Sequence, residues 1–496
     1  MDDFSPARTF EKKTFVGLWW LPGQEHKCYG TLSFDIDGEQ KLRILGYFEG
    51  KFPGYLAEYN VIHGLCIADK RQTKITVFRA WVTHTAYQLS GDPSVSETRI
   101  SFEDVWIGNC HYSCREDVQF ASFSFGLYNL ENWQDERNVF STPPASDLKK
   151  ISAEMIIPDP IPLFSDENVL ISVNYWWQAP SCCSGQTEST MRYSPRIFIK
   201  AKADSLRYYG DTASYAFYIS WIFQLFELLM KGHTFPFYLR GYLPQENPLF
   251  HVQVEILQSR DITIKQREEV QPHGILFPCK KIKDYLPELS DNFQRNYEKM
   301  GNILEVLCSS LCTSSYNLYS LPNLLFTLEG VQQLFYHSLG KKDSPINKEN
   351  YEAFDKKKQA VIEKCGDDDN LKSFVEKEIC WRATFRDRLC RMLSDVSSIF
   401  PFLDGNTCEK VAKDLKLLRD AGAHSDSREQ KNLNIHLLLR KIHFVQFLHI
   451  AIILKSCGLP DEVIKDCFEN SHPREFQAMS EDLKKHYTAT AEGANG

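Results

Sequence analysis

The sequence predicts a multidomain α+β protein, with a β-rich, sandwich-like N-terminal half followed by an α-helical bundle. Three observations carry that expectation. Short apolar runs with a period of two, punctuated by Gly, Pro, Asn and Asp, fill the first half. Apolar spacings of three and four take over in the second half. A chain of 496 residues is also longer than one hydrophobic core normally serves. The expected divisions are a β-rich domain over 1–285 with an aromatic helix near 213–230, a helical connector over 286–320, a helical domain over 321–470 and a poorly ordered tail over 471–496.

Taken in order, Gly17-Leu18-Trp19-Trp20-Leu21-Pro22-Gly23 reads as a short strand closed by a Pro-Gly turn. Leu32, Phe34 and Ile36 alternate with polar residues, Asp37-Gly38 supplies a hairpin turn, and Leu42, Ile44 and Phe48 follow. Further strands are expected at 74–82, 98–106, 119–127, 169–175, 196–201 and 251–258. Between the last two, 213–230 is dense in Phe, Tyr, Trp and Leu and reads as a buried helix, because Glu227 and polar Ser and Gln argue against a bilayer. A Lys-rich connector follows near 280–283.

In the second half, Leu321, Leu324, Leu325, Leu328, Val331, Leu334 and Phe335 mark one apolar helix face. Residues 351–364 read as a charged, lightly packed helix, and 371–393 as a helix turning Phe374, Val375, Phe385 and Leu389 inward. The last helix, about 428–456, is apolar nearly all round after Asn434, so it belongs inside a bundle or at a subunit interface. There is no internal repeat.

The formal charge of −8 argues against sequence-independent coating of nucleic acid but leaves room for a small basic cleft. Fifteen scattered cysteines, with no basic, apolar leader at Met1-Asp2-Asp3-Phe4, point to a reducing cytoplasm. The charge-free stretch 442–454 is too short to span a bilayer, so no membrane association is expected. Cys110-His111-x-x-Cys114 and Cys182-Cys183 lack the second pair a four-ligand metal site needs, so free or buried thiols are expected and no metal or cofactor. Trp19-Trp20 and Trp176-Trp177 read as core filling in preference to a ligand-stacking platform.

The stretch that invites chemistry is Leu417-Leu418-Arg419-Asp420-Ala421-Gly422-Ala423-His424. Val411, Leu415 and Leu418 recur at helical spacing, while Lys410, Lys413, Lys416 and Arg419 form a slowly turning basic stripe. Gly422 is expected to end this helix, and Ser427-x-x-Gln430 to cap the next. A break there lets the His424 imidazole swing back beside the Arg419 guanidinium. An always-charged phosphate fork beside a group that exchanges protons near neutrality is what cleavage by a ribose 2′-hydroxyl requires. The spacing alone is weak: Arg79 and His84 repeat it, but on a strand, where residues five apart face opposite ways.

With these stretches in view, the chain resembles the HEPN superfamily, and over most of its length the ApeA-type abortive-infection proteins of anti-phage defence. The resemblance rests on Gly17–Gly23, Gly30-Thr31-Leu32-Ser33-Phe34, Phe326-Thr327-Leu328-Glu329, Phe385-Arg386-Asp387-Arg388-Leu389, and the segment from Arg419 to His424. It implies an α-helical HEPN bundle that cleaves RNA without metal. Arg419 would bind the scissile phosphate, His424 would activate the 2′-hydroxyl or protonate the leaving oxygen, and Asp420 would orient one of the two. Most members carry Asn where this chain has Asp420. The partners implied are an RNA substrate (host tRNA or another host RNA), a phage-derived protein trigger, and a second copy in a homodimer or larger even assembly.

Lys413 and Lys416 are candidate RNA contacts, against the plainer reading of a solvated helix face. Glu329, His436 and His443 read as structural or orienting. Two other functions stay open: a non-catalytic HEPN module that dimerises or docks a partner, and a ligand- or protein-binding β domain for which the helices are scaffold. On the ribonuclease reading, the β-rich half restrains the helical domain until infection.

Overall fold

The computed structural model describes residues 13–35, 40–48, 57–68, 71–86, 96–135, 140–141, 154–178, 192–202, 206–209, 214–232, 234–244, 253–258, 270, 272–311, 320–336, 348–378, 384–424 and 434–492. The chain forms two compact units. The first comprises Met1–Phe226 and His233–Pro272; the second, Glu227–Gly232 and His273–Gly496.

The first unit is built on six strands, β1 (Lys13–Trp20), β2 (Cys28–Phe34), β3 (Gln40–Leu45), β4 (Glu58–Ala68), β5 (Arg71–Ala86) and β6 (Glu97–Gly108). Their pairing runs β6-β3-β2-β1-β4-β5 and returns to β6. The expected sandwich-like packing thus takes the form of a closed six-stranded barrel, which leaves no free edge among those strands. Alternate residues point inward, so Phe15, Trp19, Leu32, Leu42, Ile44, Ile62, Val77 and Ile100 share one core.

The marker segment 17–23 follows from this packing. Trp19 is fully buried and lies over Gly64 directly opposite it on β4; a Cβ there would stand 2.4 Å from the indole. Only glycine leaves room for the ring. Leu21-Pro22-Gly23-Gln24 then makes a tight turn, with Gly23 at φ +80° and the Gln24 N–H donating to the Leu21 carbonyl at 3.1 Å. Strands β2 and β3 pair as a hairpin, and its Asp37-Gly38 turn lies outside the described residues.

The C-terminal half of β6 also carries a flank of further strands: β7 (Gln119–Phe120), β8 (Ser122–Leu127), β9 (Phe140–Ser141), β10 (Glu154–Met155), β11 (Ile161–Ser165), β12 (Val169–Gln178), β13 (Arg192–Ala201), β14 (Leu206–Arg207), β15 (Pro236–Tyr242) and β16 (Gln253–Gln258). Six of them extend the sheet in the order β16-β15-β8-β13-β12-β11. Short helix α1 (Leu130–Gln134) and helix α2 (Tyr215–Met230) complete this part of the chain. The aromatic run at 213–230 is indeed helical.

The second unit contains the end of α2 and helices α3 (Cys279–Ile282), α4 (Leu286–Leu311), α5 (Ser320–Tyr336), α6 (Lys348–Lys364), α7 (Asp369–Glu378), α8 (Phe385–Asp395), α9 (Gly405–His424), α10 (Ile435–Ser456), α11 (Asp461–Ser471) and α12 (Pro473–Glu492). Helix α10 is the central member, packed by α4, α5, α11 and α12. Its 22 residues are long and apolar enough to cross a membrane by composition, and they are mostly buried inside the bundle. Within it His449 is fully buried. Its Nδ1 donates to the Val445 carbonyl at 2.7 Å, which leaves Nε2 as the neutral acceptor facing the Thr327 hydroxyl at 3.1 Å. Burial drives its pKa down to about 4.

Four expectations are corrected here. Residues 286–311 form α4, a 26-residue bundle helix with Leu289, Phe293, Met300 and Leu304 buried, because its apolar residues hold one face. The tail after Ser471 is ordered as α12 through Glu492: Phe476, Met479, Leu483 and Tyr487 fall at helical spacing and are buried. The single helix expected over 371–393 is two, since Thr384 and Asp387 form a reciprocal capping box that starts α8. Val375, Phe385 and Leu389 are buried as expected, but Phe374 is 57% exposed. Finally, the last apolar helix starts at Ile435, where the Asn434 side chain accepts from the His436 and Leu437 N–H groups, and not near 428. Ser427 and Gln430 lie outside the described residues.

Two features tie the ends of the second unit together. Lys231, just past α2, donates to both carboxylate oxygens of Glu475 on α12 at 2.6 Å and lies 4.5 Å over the Phe447 ring. His443 and His472 approach the same carboxylate at 3.5 and 3.4 Å. Burial alone would raise the Glu475 carboxyl, but the His472 hydrogen bond and the Lys231 charge hold it well below the usual range.

Candidate active site

Helix α9 runs unbroken from Gly405 to His424, with Val411, Ala412 and Leu415 facing the core. The expected stop at Gly422 is therefore a correction: its backbone is helical and not left-handed. Glycine permits a helix end but does not impose one, and alanines on both sides favour continuation. On this continuous helix Arg419 and His424 are separated by a rotation of about 140° and a rise of about 7.5 Å. The backbone thus brings His424 onto the same helix as Arg419 but not onto the same face.

Arg419 is held from three sides. Its Nη1 donates to Glu329 Oε2 at 3.0 Å, and its Nε and Nη2 donate to Asp420 Oδ1 at 3.0 and 2.7 Å. The guanidinium lies 4.2 Å over the Phe385 ring, a cation–π contact of roughly 0.5–2 kcal/mol. Glu329 comes from α5, and Phe385 is the first residue of α8, so three helices converge on one guanidinium.

Asp420 is bridged in turn by Lys416, whose Nζ donates to Oδ2 at 2.7 Å, one helical turn back. The Lys416 hydrogen bond and then Arg419 hold the Asp420 carboxyl below the usual range, so it stays ionised. On the other side Arg388 of α8 faces Glu329 Oε1 at 3.5 Å and Gln332 Oε1 at 3.4 Å. Among the described residues the contacts of the cluster set three cations against two carboxylates, a local positive excess in a protein of net negative charge.

The other residues singled out by sequence fall as follows. Lys410 donates to the Tyr487 carbonyl at 3.0 Å, and Lys413 is exposed on α9. The basic stripe is thus partly used in internal contacts. His436 is exposed, 3.9 Å from Asp482. Arg79 and His84 do lie on one strand, β5, but a left-handed residue at Arg79 and a register shift between Val82 and His84 break the alternation, so both side chains are exposed and not on opposite faces. Arg79 faces Glu103 and Glu116.

His111 Nε2 donates to the Gly64 carbonyl at 2.9 Å, and Cys114 Sγ to Glu116 at 3.2 Å. No group of three or more His, Cys, Asp or Glu is arranged to hold a metal among the described residues. Cys182 and Cys183 lie outside them. Trp19 fills the core, whereas Trp20 faces out against His63, His111 and Lys27, and Trp176 lies under the Arg196 guanidinium.

Sequence reasoning took Phe385 as an inward-facing helix residue and quoted Phe385–Leu389 only for the family resemblance, assigning no site role to Arg388, Gln332 or Phe385. Their signal was thin: Glu329 and Gln332 stand three apart on α5, and Phe385 and Arg388 three apart on α8, each pair on one helical face.

Comparison with known proteins agrees with this architecture. Residues 14–293, more than half of the chain, match the family model described as ApeA N-terminal domain 1. Residues 334–463 match the model described as Apea-like HEPN, a span that includes Arg388, Arg419, Asp420 and His424. Glu329 and Gln332 lie between the two matched segments. Neither a curated protein nor a solved structure matches. A β-rich first half and a helical second half, each carrying its own half of that pairing, place this chain in the ApeA-like HEPN family of anti-phage defence proteins.

Proposed function

We propose that the helical unit is a metal-independent endoribonuclease whose phosphate-binding group is Arg419 and whose acid–base group is His424. The observation that supports this best is the fixing of Arg419 by Glu329, Asp420 and Phe385 beside a positive excess. A guanidinium held in place loses little entropy on meeting a phosphate and offers paired donors to its oxygens. The 2′-oxygen attacks phosphorus, the 5′-oxygen leaves, and a cyclic phosphate or its 3′-phosphate hydrolysis product remains. His424 takes the proton from the nucleophile or gives one to the leaving oxygen.

The 140° divergence along α9 favours a composite cleft, in which a second copy lends the histidine that faces a given arginine. RNA from cells expressing the wild-type chain, Arg419→Ala and His424→Ala is the test. Degradation is expected only with the wild type, and in vitro it should persist in EDTA; loss in EDTA, or normal cutting by His424→Ala, overturns the mechanism. Light scattering should give a dimer or larger even assembly, and a monomer that cleaves would remove the composite cleft.

The first unit we read as the restraint and the sensor of a phage-derived protein, because an unrestrained ribonuclease kills its host. Gly64→Val drives a side chain into Trp19 and disrupts the barrel in the intact chain. Toxicity without phage, removed by His424→Ala, is the expected result. A harmless variant that still answers phage would sink the restraint. One observation favours a second reading, a binding module without catalysis: Arg419 donates to two carboxylates at once, which compete with any phosphate.

A further inference from the structure

That competition carries an inference of its own, resting on the ribonuclease reading. A phosphate needs a donor edge of Arg419. One edge is taken by Asp420, a neighbour on the same helix; another by Glu329, from α5; and a face is covered by Phe385. Asp420 is the chain neighbour of Arg419 and is already pinned by Lys416 at 2.7 Å, so Glu329, from another helix and less tightly held on its far side, is the partner freer to leave. Its second oxygen already faces Arg388 Nη2 at 3.5 Å, the outer limit of a hydrogen bond. Beside it stands Gln332, fully buried, whose Oε1 accepts from Arg388 Nε at 3.4 Å. Because an arginine N–H can only donate, the amide oxygen must face it, and that turns Gln332 Nε2 the other way. Nε2 is buried and has no hydrogen-bond partner among the described residues. A buried amide N–H without an acceptor costs about 1–3 kcal/mol, so such an orphan calls for an anion or a carbonyl. Glu329 and Gln332 are three residues apart on α5, within reach of one another on one helical face.

We infer that Glu329 is a displaceable counter-ion with two seats: at rest it occupies the Arg419 edge that phosphate requires, and on RNA binding it transfers to Arg388 and Gln332. Arg388 is then a positioning residue. It never touches RNA, but it neutralises the carboxylate that must step aside, so that phosphate and carboxylate do not face each other uncompensated. Three cations against two carboxylates become three against two carboxylates and one phosphate, and the site closes at neutrality.

The experiment uses the full chain and a fluorescein-labelled 2′-O-methyl oligoribonucleotide, which carries the phosphates but lacks the nucleophile. Fluorescence anisotropy should show Glu329→Gln, nearly isosteric and uncharged, binding on the order of tenfold more tightly than the wild type. Arg388→Ala should bind several-fold more weakly, and Glu329→Gln should cancel that loss in the double variant. A merely structural Arg388 would weaken both backgrounds equally. Unchanged or weaker binding by Glu329→Gln overturns the inference, as does absence of binding by both forms. If cleavage of natural RNA persists while Glu329→Gln affinity is unchanged, only the two-seat arrangement fails. If neither binding nor cleavage occurs, the ribonuclease reading falls with it.

Discussion

Two arginines, one in each unit, are built from the same parts to opposite ends. Arg115 lies 4.2 Å over the Tyr209 ring, as Arg419 lies 4.2 Å over Phe385. Each also faces more than one carboxylate: Arg115 meets Glu103, Asp104 and Glu116, and Arg419 meets Glu329 and Asp420. The difference is closure. The Arg115 side chain is 5% exposed and that of Asp104 3%, and the Tyr209 hydroxyl takes a further lone pair of Asp104 at 2.7 Å. The Arg419 side chain is 18% exposed, and its two carboxylates are each about a third exposed. The buried Arg115–Asp104 pair, unlike the half-exposed Glu103 and Glu116 beside it, cannot part without stranding a charge and serves the fold. An open one costs less to dismantle, as a site that exchanges a carboxylate for a phosphate requires.

The sharpest way to break the comparison is to remove each guanidinium. Arg115→Ala strands Asp104 in the interior and should lower the stability of the first unit by about 3–5 kcal/mol, read from urea titration. Arg419→Ala should lower RNA cleavage at least ~10²-fold, with stability changed by no more than about 1 kcal/mol; a large loss of stability there would place Arg419 with Arg115 as a structural group.

His449 asks whether closure, and not membership of a unit, decides the matter, since it is a fully buried polar group inside the helical bundle. Its pKa is about 4 when folded against an unfolded value of 6.5. The unfolded chain therefore binds the proton first as pH falls. Stability is full above about 6.5 and declines toward pH 4, by up to about 3 kcal/mol. His449→Met should flatten that limb in pH-dependent melting, and a limb unchanged in the variant assigns it elsewhere. The smallest effect belongs to Lys413, exposed on α9: Lys413→Gln should weaken RNA binding by less than about threefold, measured by anisotropy at two salt concentrations.

What could be read in the sequence was what depends on near neighbours. Strands β5, β6, β8, β12 and β13 fall where alternation placed them, and Trp19 is buried because a period of two turns it inward. The α12 helix was missed although Phe476, Met479, Leu483 and Tyr487 spell it out, because the polar end of the chain outweighed the spacing. Gly422 misled in the opposite sense, since a glycine's freedom was taken for an instruction. The Glu329–Arg419 contact joins residues 90 apart, and no local pattern in either helix announces the other.

The Lys231–Glu475 pair has a consequence for how the protein is made. The two residues are 244 apart, and the lysine lies in a six-residue piece of the helical unit that is synthesised before the barrel unit is finished. The bundle cannot seat that lysine until Glu475 of α12 has been synthesised, 244 residues later. An unfinished chain therefore holds its cation waiting and its central helix partly uncovered. Assembly of the helical unit is thereby tied to synthesis of everything between the two residues, the end of the β-rich unit included.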